Sequence, residues 1–410
     1  MTLRRGGMRS FRLPLVRPLA TAHGTIESRD GFLVTLMDDE GLCGFGEATP
    51  LPSFGTEDAS TAQQALESAL RRLVDGRARS FEESLEVSAR ICRDAPCALS
   101  AVDGALHDLA AQAAGLPLAC WIRARAGIPG EPKERVAVQA LVVGEDPATV
   151  AQAARMSLAE GFETFKLKLA VSPARRGPDL DDSPDYSIDP HPHPDLGLDL
   201  ERVAALREAI GPGCRIRLDA NEAWTLRDAA RALEAFERFE IDFVEQPVAR
   251  DDRKALKHLD ECGAIPVAAD EALLGQGWRS CLESRAASIF VVKPAALGGI
   301  EVSLEIYRRA REEGIRVVWS SLIDAAVGRR TAVALAAALD EGLGDRHEVH
   351  GLGTAKLLSR DLVEGREVVD GYIASSGAPG LGCEVDPVWD ARDSFGEEGC
   401  DESWIVEAKA

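Results

Sequence analysis

Five short apolar runs in the middle of the chain each end in a charged side chain. They cover residues 165–169, 215–221, 241–247, 266–271 and 288–294. Apolar runs of this length, bounded by glycine, proline and helical segments, predict strands of a parallel sheet buried on both faces. A Lys, Asp or Glu at the C-terminal end of such a strand is costly to bury, so it needs an ionic partner or a metal ion. The pattern therefore predicts a catalytic site at one end of a barrel.

Strands and helices alternate along the chain on both sides of this stretch. A first strand is predicted at 136–143 and a last one at 314–321. The predicted helices cover residues 147–160, 200–210, 225–238, 251–262, 276–284, 300–313 and 326–341. Repeated βα units favour an α/β fold with a TIM-type (β/α)7β barrel. No Gly-x-Gly-x-x-Gly follows an early strand, which argues against a dinucleotide-binding fold.

The residues before the barrel have a different pattern. Strand-like runs and turns fill residues 9–56, and helical periodicity continues from Ala59 to about Gly115. This segregation of strands and helices predicts a separate α+β capping domain. We expect the C-terminal segment to pack back on this domain and complete it, and we expect its acidic tail, from Asp390, to be mobile. The predicted capping domain, barrel and C-terminal segment cover residues 1–130, 131–350 and 351–410.

One segment interrupts the alternation after the second barrel strand. Residues 172–194 are rich in Pro, Asp, Arg and His, and they are too polar to pack into a core. We therefore expect a solvated insertion here, near the active-site face of the barrel.

Composition excludes several classes of protein. The chain has 410 residues and a formal charge of −21 at pH 7, which argues against nucleic-acid binding because that requires a basic face. No apolar run approaches the roughly 18 residues of a membrane span. The nine cysteines are scattered, as is typical of a reduced cytoplasmic protein. We interpret the acidic, lysine-poor composition as adaptation to high salt, with a chance acidic surface as the alternative.

Charged side chains on neighbouring strands are predicted to share the mouth of the barrel. Side chains two positions apart on a strand point the same way, which groups Lys166 with Lys168 and Arg217 with Asp219. The strands that follow add Glu245, Asp270 and Lys293. The alternative interpretation is that these charges form ion pairs on the barrel rim.

The charge balance of this mouth predicts a metal ion. Three carboxylates at neighbouring strand ends, Asp219, Glu245 and Asp270, cannot all stay ionised without a cation. All-oxygen ligation selects Mg²⁺, with Mn²⁺ as an alternative. Burial and nearby positive charge are expected to lower the pKa of the lysines. A lysine with a lowered pKa can remove a carbon-bound proton beside a carboxylate, so the substrate is predicted to be a small-molecule carboxylate.

At these residues the chain resembles the enolase superfamily, in the branch with a lysine on each side of the site. Asp219, Glu245, Asp270 and Lys293 follow one another at intervals of 26, 25 and 23 positions. The Lys-x-Lys at 166–168 and the Glu245-Gln-Pro sequence also match. The resemblance implies that the three acidic residues bind Mg²⁺. It further implies that Lys168 is the general base, that Lys166 tunes it and that Lys293 acts from the opposite face.

Arg217 and the sequences at 221–224 and 319–324 resemble those of the o-succinylbenzoate synthases, which are lyases of menaquinone biosynthesis within the superfamily. The similarity implies syn dehydration of 2-succinyl-6-hydroxy-2,4-cyclohexadiene-1-carboxylate to 2-succinylbenzoate. It also implies substrate contacts from the residues Arg217, Asn221, Ser320, Ser321, Asp324, His23 and Phe54. The alternatives are N-acylamino acid racemase, dipeptide epimerase and muconate cycloisomerase activity, which use the same lysine pair. A dipeptide epimerase is expected to carry Asp-x-Asp on its last barrel strands, and residues 320–324 do not. The chain is compatible with a homo-oligomer.

Overall fold

The capping domain combines an antiparallel sheet with four helices. The computed structural model describes residues 2–21, 24–75, 80–169, 196–340, 347–363, 368–382 and 404–407. The elements of the capping domain are β1 (Leu3–Thr21), β2 (Gly24–Asp38), β3 (Cys43–Ala48), α1 (Ala59–Val74), α2 (Phe81–Ile91), α3 (Pro96–Ala113) and α4 (Leu118–Ala126). β2 pairs with β1 on one side and with β3 on the other, in antiparallel register. The α+β capping domain predicted from the sequence is confirmed.

Two glycines let β3 lie directly on helix α3. A Cβ atom on Gly46 would stand 1.8 Å from the carbonyl oxygen of Ala101, and one on Gly44 would stand 2.2 Å from that of Ala105. Real side chains do not tolerate such distances, so the close approach of sheet and helix depends on glycine at these two positions. The same strand carries Glu47 to the boundary with the barrel, and Thr49 follows directly after the strand.

Parallel strands and helices alternate through the second domain. Its elements are β4 (Arg135–Val138), β5 (Ala140–Val142), α5 (Pro147–Ala159), β6 (Thr164–Lys168), α6 (Leu196–Ile210), β7 (Arg215–Asp219), α7 (Leu226–Phe236), β8 (Ile241–Glu245), α8 (Arg253–Cys262), β9 (Val267–Ala269), α9 (Gly277–Ser284), β10 (Ile289–Val292), α10 (Pro294–Leu297), α11 (Ile300–Glu312), β11 (Arg316–Trp319), α12 (Ala326–Leu339) and β12 (Val349–His350). β5 to β11 form one curled, seven-stranded parallel sheet in sequence order. The predicted helices are confirmed to within about one turn at each end.

Short strands connect the first and last strands of this sheet. β12 pairs in parallel with β4, and the amide of Gly351 donates to Trp319 O at 2.7 Å. Residues 349–351 therefore lie between β11 and the β4–β5 edge, which gives the domain its barrel-like form. Strands β13 (Val368–Val369) and β14 (Tyr372–Ala374) extend the β4 edge in antiparallel register.

The C-terminal segment returns to the capping domain. Strand β15 (Trp404–Glu407) pairs antiparallel with β1, and Leu118 N donates to Gly380 O at 2.8 Å. The prediction of a mobile tail is therefore wrong for residues 404–407, which form this strand. The predicted insertion at 172–194 lies outside the described residues.

An apolar layer fills the barrel interior below the charged strand ends. Its members are Phe243, Ala268, Ile289, Val291 and Val318. Glu245, Asp270, Lys293 and Ser320 each follow one of these residues by two positions. Because side chains two apart on a strand share a face, the charged groups form the next layer up, towards the C-terminal ends of the strands. None of the described helices is both long and apolar enough to cross a membrane.

Candidate active site

Five neighbouring strands carry charged side chains to one edge of the barrel. β6 ends at Lys168, β7 at Asp219 and β8 at Glu245, while Asp270 follows β9 and Lys293 follows β10. The strand register places Lys168 beside Asp219, and Asp219 beside Glu245. Parallel strands present their C-terminal ends at the same edge of a barrel, so these side chains meet there.

Two lysines lie between the three carboxylates. Lys166 Nζ is 2.8 Å from Asp219 Oδ2 and 2.7 Å from Glu245 Oε1. Lys293 Nζ donates to Asp270 Oδ2 and lies 3.9 Å from Glu245 Oε1. We call these five residues, Lys166, Asp219, Glu245, Asp270 and Lys293, the cavity cluster. Each is at most 8% exposed, so water screens these charges little.

The cavity cluster and its neighbour Glu271 hold more acid than base. Burial raises the pKa of Glu245 to about 7 and that of Asp270 to about 6, and nearby carboxylates add to the effect. Burial also raises the pKa of Glu271 to about 7, and its Oε2 atom has no hydrogen-bond partner among the described residues. Four carboxylates thus face the two ammonium groups of Lys166 and Lys293.

The excess of acid reverses one expectation about the lysines. Burial by itself would lower the pKa of Lys166 and of Lys293, but the surrounding carboxylates raise both. The prediction of lowered lysine pKa values is therefore wrong for Lys166 and Lys293, because the surrounding carboxylates outweigh the effect of burial. A divalent cation among the carboxylates would offset that effect, because it would neutralise the groups that hold the protons on the lysines.

The donor set of the cavity cluster fits a hard divalent cation. Asp219, Glu245 and Asp270 offer carboxylate oxygens, which Mg²⁺ prefers, and the unpartnered Glu271 Oε2 adds further negative charge. Among the described residues, no three Asp, Glu, His or Cys side chains surround one point that a metal could occupy. The ammonium groups of Lys166 and Lys293 stand between the carboxylates instead. The donor type and the charge thus fit Mg²⁺. In this structure the carboxylates are placed by their ion pairs with Lys166 and Lys293.

Hydroxyl side chains from the loop after β11 and from residues 351–357 form a wall of the cavity. Ser320, Ser321 and Thr354 line it, and the hydroxyls of Ser321 and Thr354 lie 2.9 Å apart. Backbone at Gly351 and Gly353 completes this wall. The apolar lining consists of Leu19, Ile26, Leu51, Leu141, Leu322, Ile323 and Leu357. The cavity therefore combines charged groups carried by β6 to β10 with hydroxyl and apolar surface from the other elements.

A loop of the capping domain closes over Lys293. The Phe54 ring lies 4.7 Å from Lys293 Nζ, a distance at which the ring face attracts an ammonium. Arg250, in the loop after β8, donates to the carbonyl of Phe54 at 2.9 Å and forms an ion pair with Glu222. A Cβ on Gly55, whose φ is 115°, would meet Arg250 at 2.6 Å, so glycine permits this contact. The capping loop is thereby fixed to the barrel.

The structure brings most of the sequence-predicted residues together. The cavity is lined by Lys166, Lys168, Asp219, Asp270, Lys293, Asn221, Ser320, Ser321 and Phe54. Glu245 lies against Lys166 within the cluster. Asn221 has a φ of 45°, which asparagine tolerates better than most residues, and its side chain donates to Glu271 at 3.4 Å. His23 lies outside the described residues.

Two predicted substrate contacts do not line the cavity. Arg217 is completely buried among Asp242, Glu348 and Gln139. It shares a face with Asp219, but two residues along a strand span about 6.6 Å, so the two side chains occupy different layers. Asp324 is 1% exposed and accepts a hydrogen bond from Thr49 Oγ1 at 3.0 Å, at the boundary between the domains.

Sequence reasoning missed several cavity residues. Glu271 adjoins a predicted ligand, and its position next to Asp270 was the available signal. Gln139 lines the cavity from the first barrel strand, where it is a polar residue in an apolar run. Gln246 Oε1 accepts hydrogen bonds from Asp270 N and Ala272 N, at 2.9 and 3.1 Å. Such a contact between loops has no signature in the sequence.

The sequence matches two family profiles over most of its length. "Enolase C-terminal domain-like" matches residues 148–389, and "Mandelate racemase / muconate lactonizing enzyme, N-terminal domain" matches residues 8–122. The first match alone covers more than half of the chain. The protein belongs to the enolase superfamily, whose members bind Mg²⁺.

Relatives within the superfamily catalyse different reactions. A hydrophobic dipeptide epimerase from Enterococcus faecalis is 27% identical, and the match covers 90% of this chain and 97% of the epimerase. An o-succinylbenzoate synthase from Thermobifida fusca is 34% identical, over 60% of this chain and 68% of the synthase. The structure of the E. faecalis V583 dipeptide epimerase with Mg and L-Leu-L-Tyr has a TM-score of 0.79 at 27% identity, and the superposition covers 93% of this chain and 99% of that one. Relatives at this level of identity therefore do not assign one particular reaction to this chain.

Proposed function

We propose that this protein is an o-succinylbenzoate synthase, a lyase that dehydrates 2-succinyl-6-hydroxy-2,4-cyclohexadiene-1-carboxylate to 2-succinylbenzoate. The observation that carries the proposal is the distribution of acid in the cavity. The acidic lining residues are Asp219, which ends β7, and Asp270 and Glu271, which follow β9. Among the described lining residues, those from the capping domain, from the loop after β11 and from residues 351–357 include no acid.

This distribution favours a substrate without a free ammonium group. A dipeptide carries its α-ammonium at the end away from the reacting carboxylate, where a buried charge needs an acidic partner. A succinyl chain presents a ketone and a carboxylate there, which accept hydrogen bonds from Ser320, Ser321, Thr354 and backbone amides. The similarity to the T. fusca synthase points the same way.

The proposed mechanism begins with proton removal by Lys168. Its neutral Nζ takes the proton from the ring carbon that bears the carboxylate, so a C–H bond breaks and an N–H bond forms. Mg²⁺, held by Asp219, Glu245 and Asp270, would supply positive charge beside the carboxylate oxygens on which negative charge develops. Lys166 lies between Asp219 and Glu245 on the same strand as Lys168, so its positive charge stands beside the base.

The second step returns the proton. The Lys168 ammonium protonates the hydroxyl on the same face, the ring C–O bond breaks, and water leaves. The electron pair that was held on the ring carboxylate then forms the last double bond of the aromatic ring. Lys293 stays protonated on the other face, held by Asp270 and covered by Phe54. The wall formed by Ser320 and Ser321 orients the succinyl chain.

Racemisation of an N-acylamino acid is the second candidate reaction. The observation in its favour is that Lys168 and Lys293 both line the cavity, since racemisation needs a base and an acid on opposite faces of one carbon. An N-acyl group also lacks an ammonium, so it suits the same wall of Ser320, Ser321 and Thr354.

An ultraviolet assay of aromatic product formation tests the proposed function. We expect the wild-type protein with Mg²⁺ to form 2-succinylbenzoate and Lys168→Ala to be at least about 10³-fold slower, since the general base is removed. Lys257→Ala, which removes a lysine on the outer helix α8, is the matched control and should retain full activity. Absence of product from the wild type, together with exchange of the α-proton of an N-succinylamino acid in deuterated water, would refute the dehydratase assignment and support the racemase.

A further inference from the structure

Arg29 is a buried arginine whose guanidinium contacts backbone carbonyls on both sides of the boundary between the domains. It lies in β2 and is 2% exposed. Its Nη2 donates to Thr49 O at 2.6 Å and its Nη1 to Pro50 O at 3.3 Å, both in the capping domain. Its Nε donates to Ile323 O at 3.4 Å, in the loop after β11. A single side chain therefore connects two separate loops.

Both loops form walls of the cavity. Thr49 and Pro50 lead directly into the capping loop, which contributes Leu51 and Phe54 to the lining. Ile323 lines the cavity itself and belongs to the same loop as Ser320 and Ser321. Arg29 is not among the lining residues. It therefore acts on the cavity only through the backbone that it holds.

The loop after β11 is strained where Arg29 holds it. Ile323 has a φ of 59°, a left-handed conformation that a β-branched residue adopts only when its surroundings impose it. Local hydrogen bonds support the loop: Ile323 N donates to Ser321 Oγ at 2.9 Å, and Leu322 N donates to Asp324 Oδ2 at 3.2 Å. The contact between Arg29 and Ile323 O adds a support from the other domain.

Buried acids near Arg29 fasten the two domains together. Asp324 accepts a hydrogen bond from Thr49 Oγ1 at 3.0 Å, across the boundary. Glu47 accepts from Ala325 N at 2.6 Å and from Gly328 N at 2.8 Å, at the start of helix α12. Asp324 also balances the charge of Arg29 electrostatically, while burial and the nearby Asp324 raise the pKa of Glu47 to about 8. Charged groups this deeply buried persist only with such partners, so the arrangement is specific to this boundary.

We propose that Arg29 is a positioning residue that sets the spacing between the capping loop and the loop after β11, and thereby the affinity for the non-reacting end of the substrate. This inference rests on the proposed function for the identity of that end, the succinyl chain. The reacting groups are carried by β6 to β10, whereas the hydrogen bonds of Arg29 within the described part of the chain go to Thr49, Pro50 and Ile323. Loss of Arg29 therefore weakens substrate binding more than it slows proton transfer.

Steady-state kinetics of Arg29→Met and Arg29→Lys test the proposal. For Arg29→Met we expect KM to rise by about tenfold or more, with kcat within about threefold of the wild type, which is the signature of lost uniform binding. Arg29→Lys keeps a charge but lacks the planar fork that reaches three carbonyls, so we expect an intermediate KM.

Arg123→Met is the matched control for general loosening of the domain boundary. Arg123 on α4 also binds backbone carbonyls, at Pro129, Gly130 and, across to α12, Ala338, with distances of 2.7, 2.9 and 2.7 Å. It lies away from the cavity lining, so this variant should lose thermal stability and keep the wild-type KM. An unchanged KM in Arg29→Met, or an equal rise in Arg123→Met, would overturn the proposal.

Hydrogen exchange separates this proposal from the proposed function. We expect faster exchange of the amides of residues 51–56 and 321–324 in Arg29→Met than in the wild type, and no such change in Arg123→Met. This readout needs no substrate. If the wild type does not dehydrate the cyclohexadiene, the proposed function fails, while unchanged exchange in Arg29→Met would refute the positioning role by itself.

Discussion

Two buried charge clusters occupy the same barrel, and they are built differently. The lower cluster consists of Arg217, Arg316, Asp242 and Glu348, near the N-terminal ends of the strands. Arg217 contacts Asp242 and Glu348 at 2.8 Å each, and Arg316 bonds to the same two acids. Both guanidinium groups also lie against the ring of Phe243. Two cations and two anions are therefore fully paired, and both cations are arginines with a planar, bidentate fork.

The pKa values of the acids differ accordingly. Burial alone would raise the pKa of Asp242, but Arg316 and Arg217 lower it to about 2. Glu348 shifts in the same direction for the same reason. In the cavity cluster, burial raises the pKa of Glu245 to about 7, since neighbouring carboxylates accompany its lysine partners. A structural network balances its charges internally, whereas the cavity cluster retains negative charge that a bound cation would neutralise.

Breaking the lower cluster is expected to have the largest effect on stability. Arg217→Met leaves Asp242 and Glu348 with one fewer buried partner, so we expect the free energy of unfolding to fall by about 3–5 kcal/mol. Urea denaturation measures this change. The folded fraction should keep the wild-type KM, because Arg217 does not line the cavity. A loss of less than about 1 kcal/mol, or a raised KM, would mean that Arg217 serves the site rather than the fold.

The pH dependence of stability gives a smaller, graded test of the same contrast. The folded pKa of Asp242, about 2, lies below its ordinary value, so its ion pairs stabilise the protein above about pH 4 and lose their effect as the pH falls towards 2. The shift corresponds to about 2 kcal/mol. Asp242→Asn should be less stable than the wild type at pH 7 and should show a flatter decline of unfolding free energy between about pH 4 and 2. Parallel pH curves for the two proteins would contradict this account.

Much of the fold could be predicted from the sequence because its signals are local. Apolar runs with a charge at the end identified the strands of the barrel and placed Asp219, Glu245, Asp270 and Lys293 at one edge. Spacing by two residues identified which side chains share a face, but it did not assign Arg217 to its layer, since the layer depends on how far each strand extends. The pKa direction of Lys166 was wrong because it depends on the whole set of neighbouring charges.

The boundary between the domains was the least predictable part of the site. Arg29 and Asp324 are nearly 300 positions apart, and no periodicity connects them. Their common surroundings arise only when β2 and the loop after β11 pack together. Local sequence patterns report the face of a strand or helix, whereas such a contact depends on the arrangement of two domains.

Titration of Mg²⁺ into the metal-stripped protein by calorimetry tests the contrast between the clusters most directly. We predict saturable binding to the wild type, its loss in Glu245→Gln, and its retention in Glu348→Gln, which removes one acid from the lower cluster and serves as the matched control. Equal binding by the wild type and Glu245→Gln, or loss of binding only in Glu348→Gln, would contradict the assignment of the cavity cluster as the metal site.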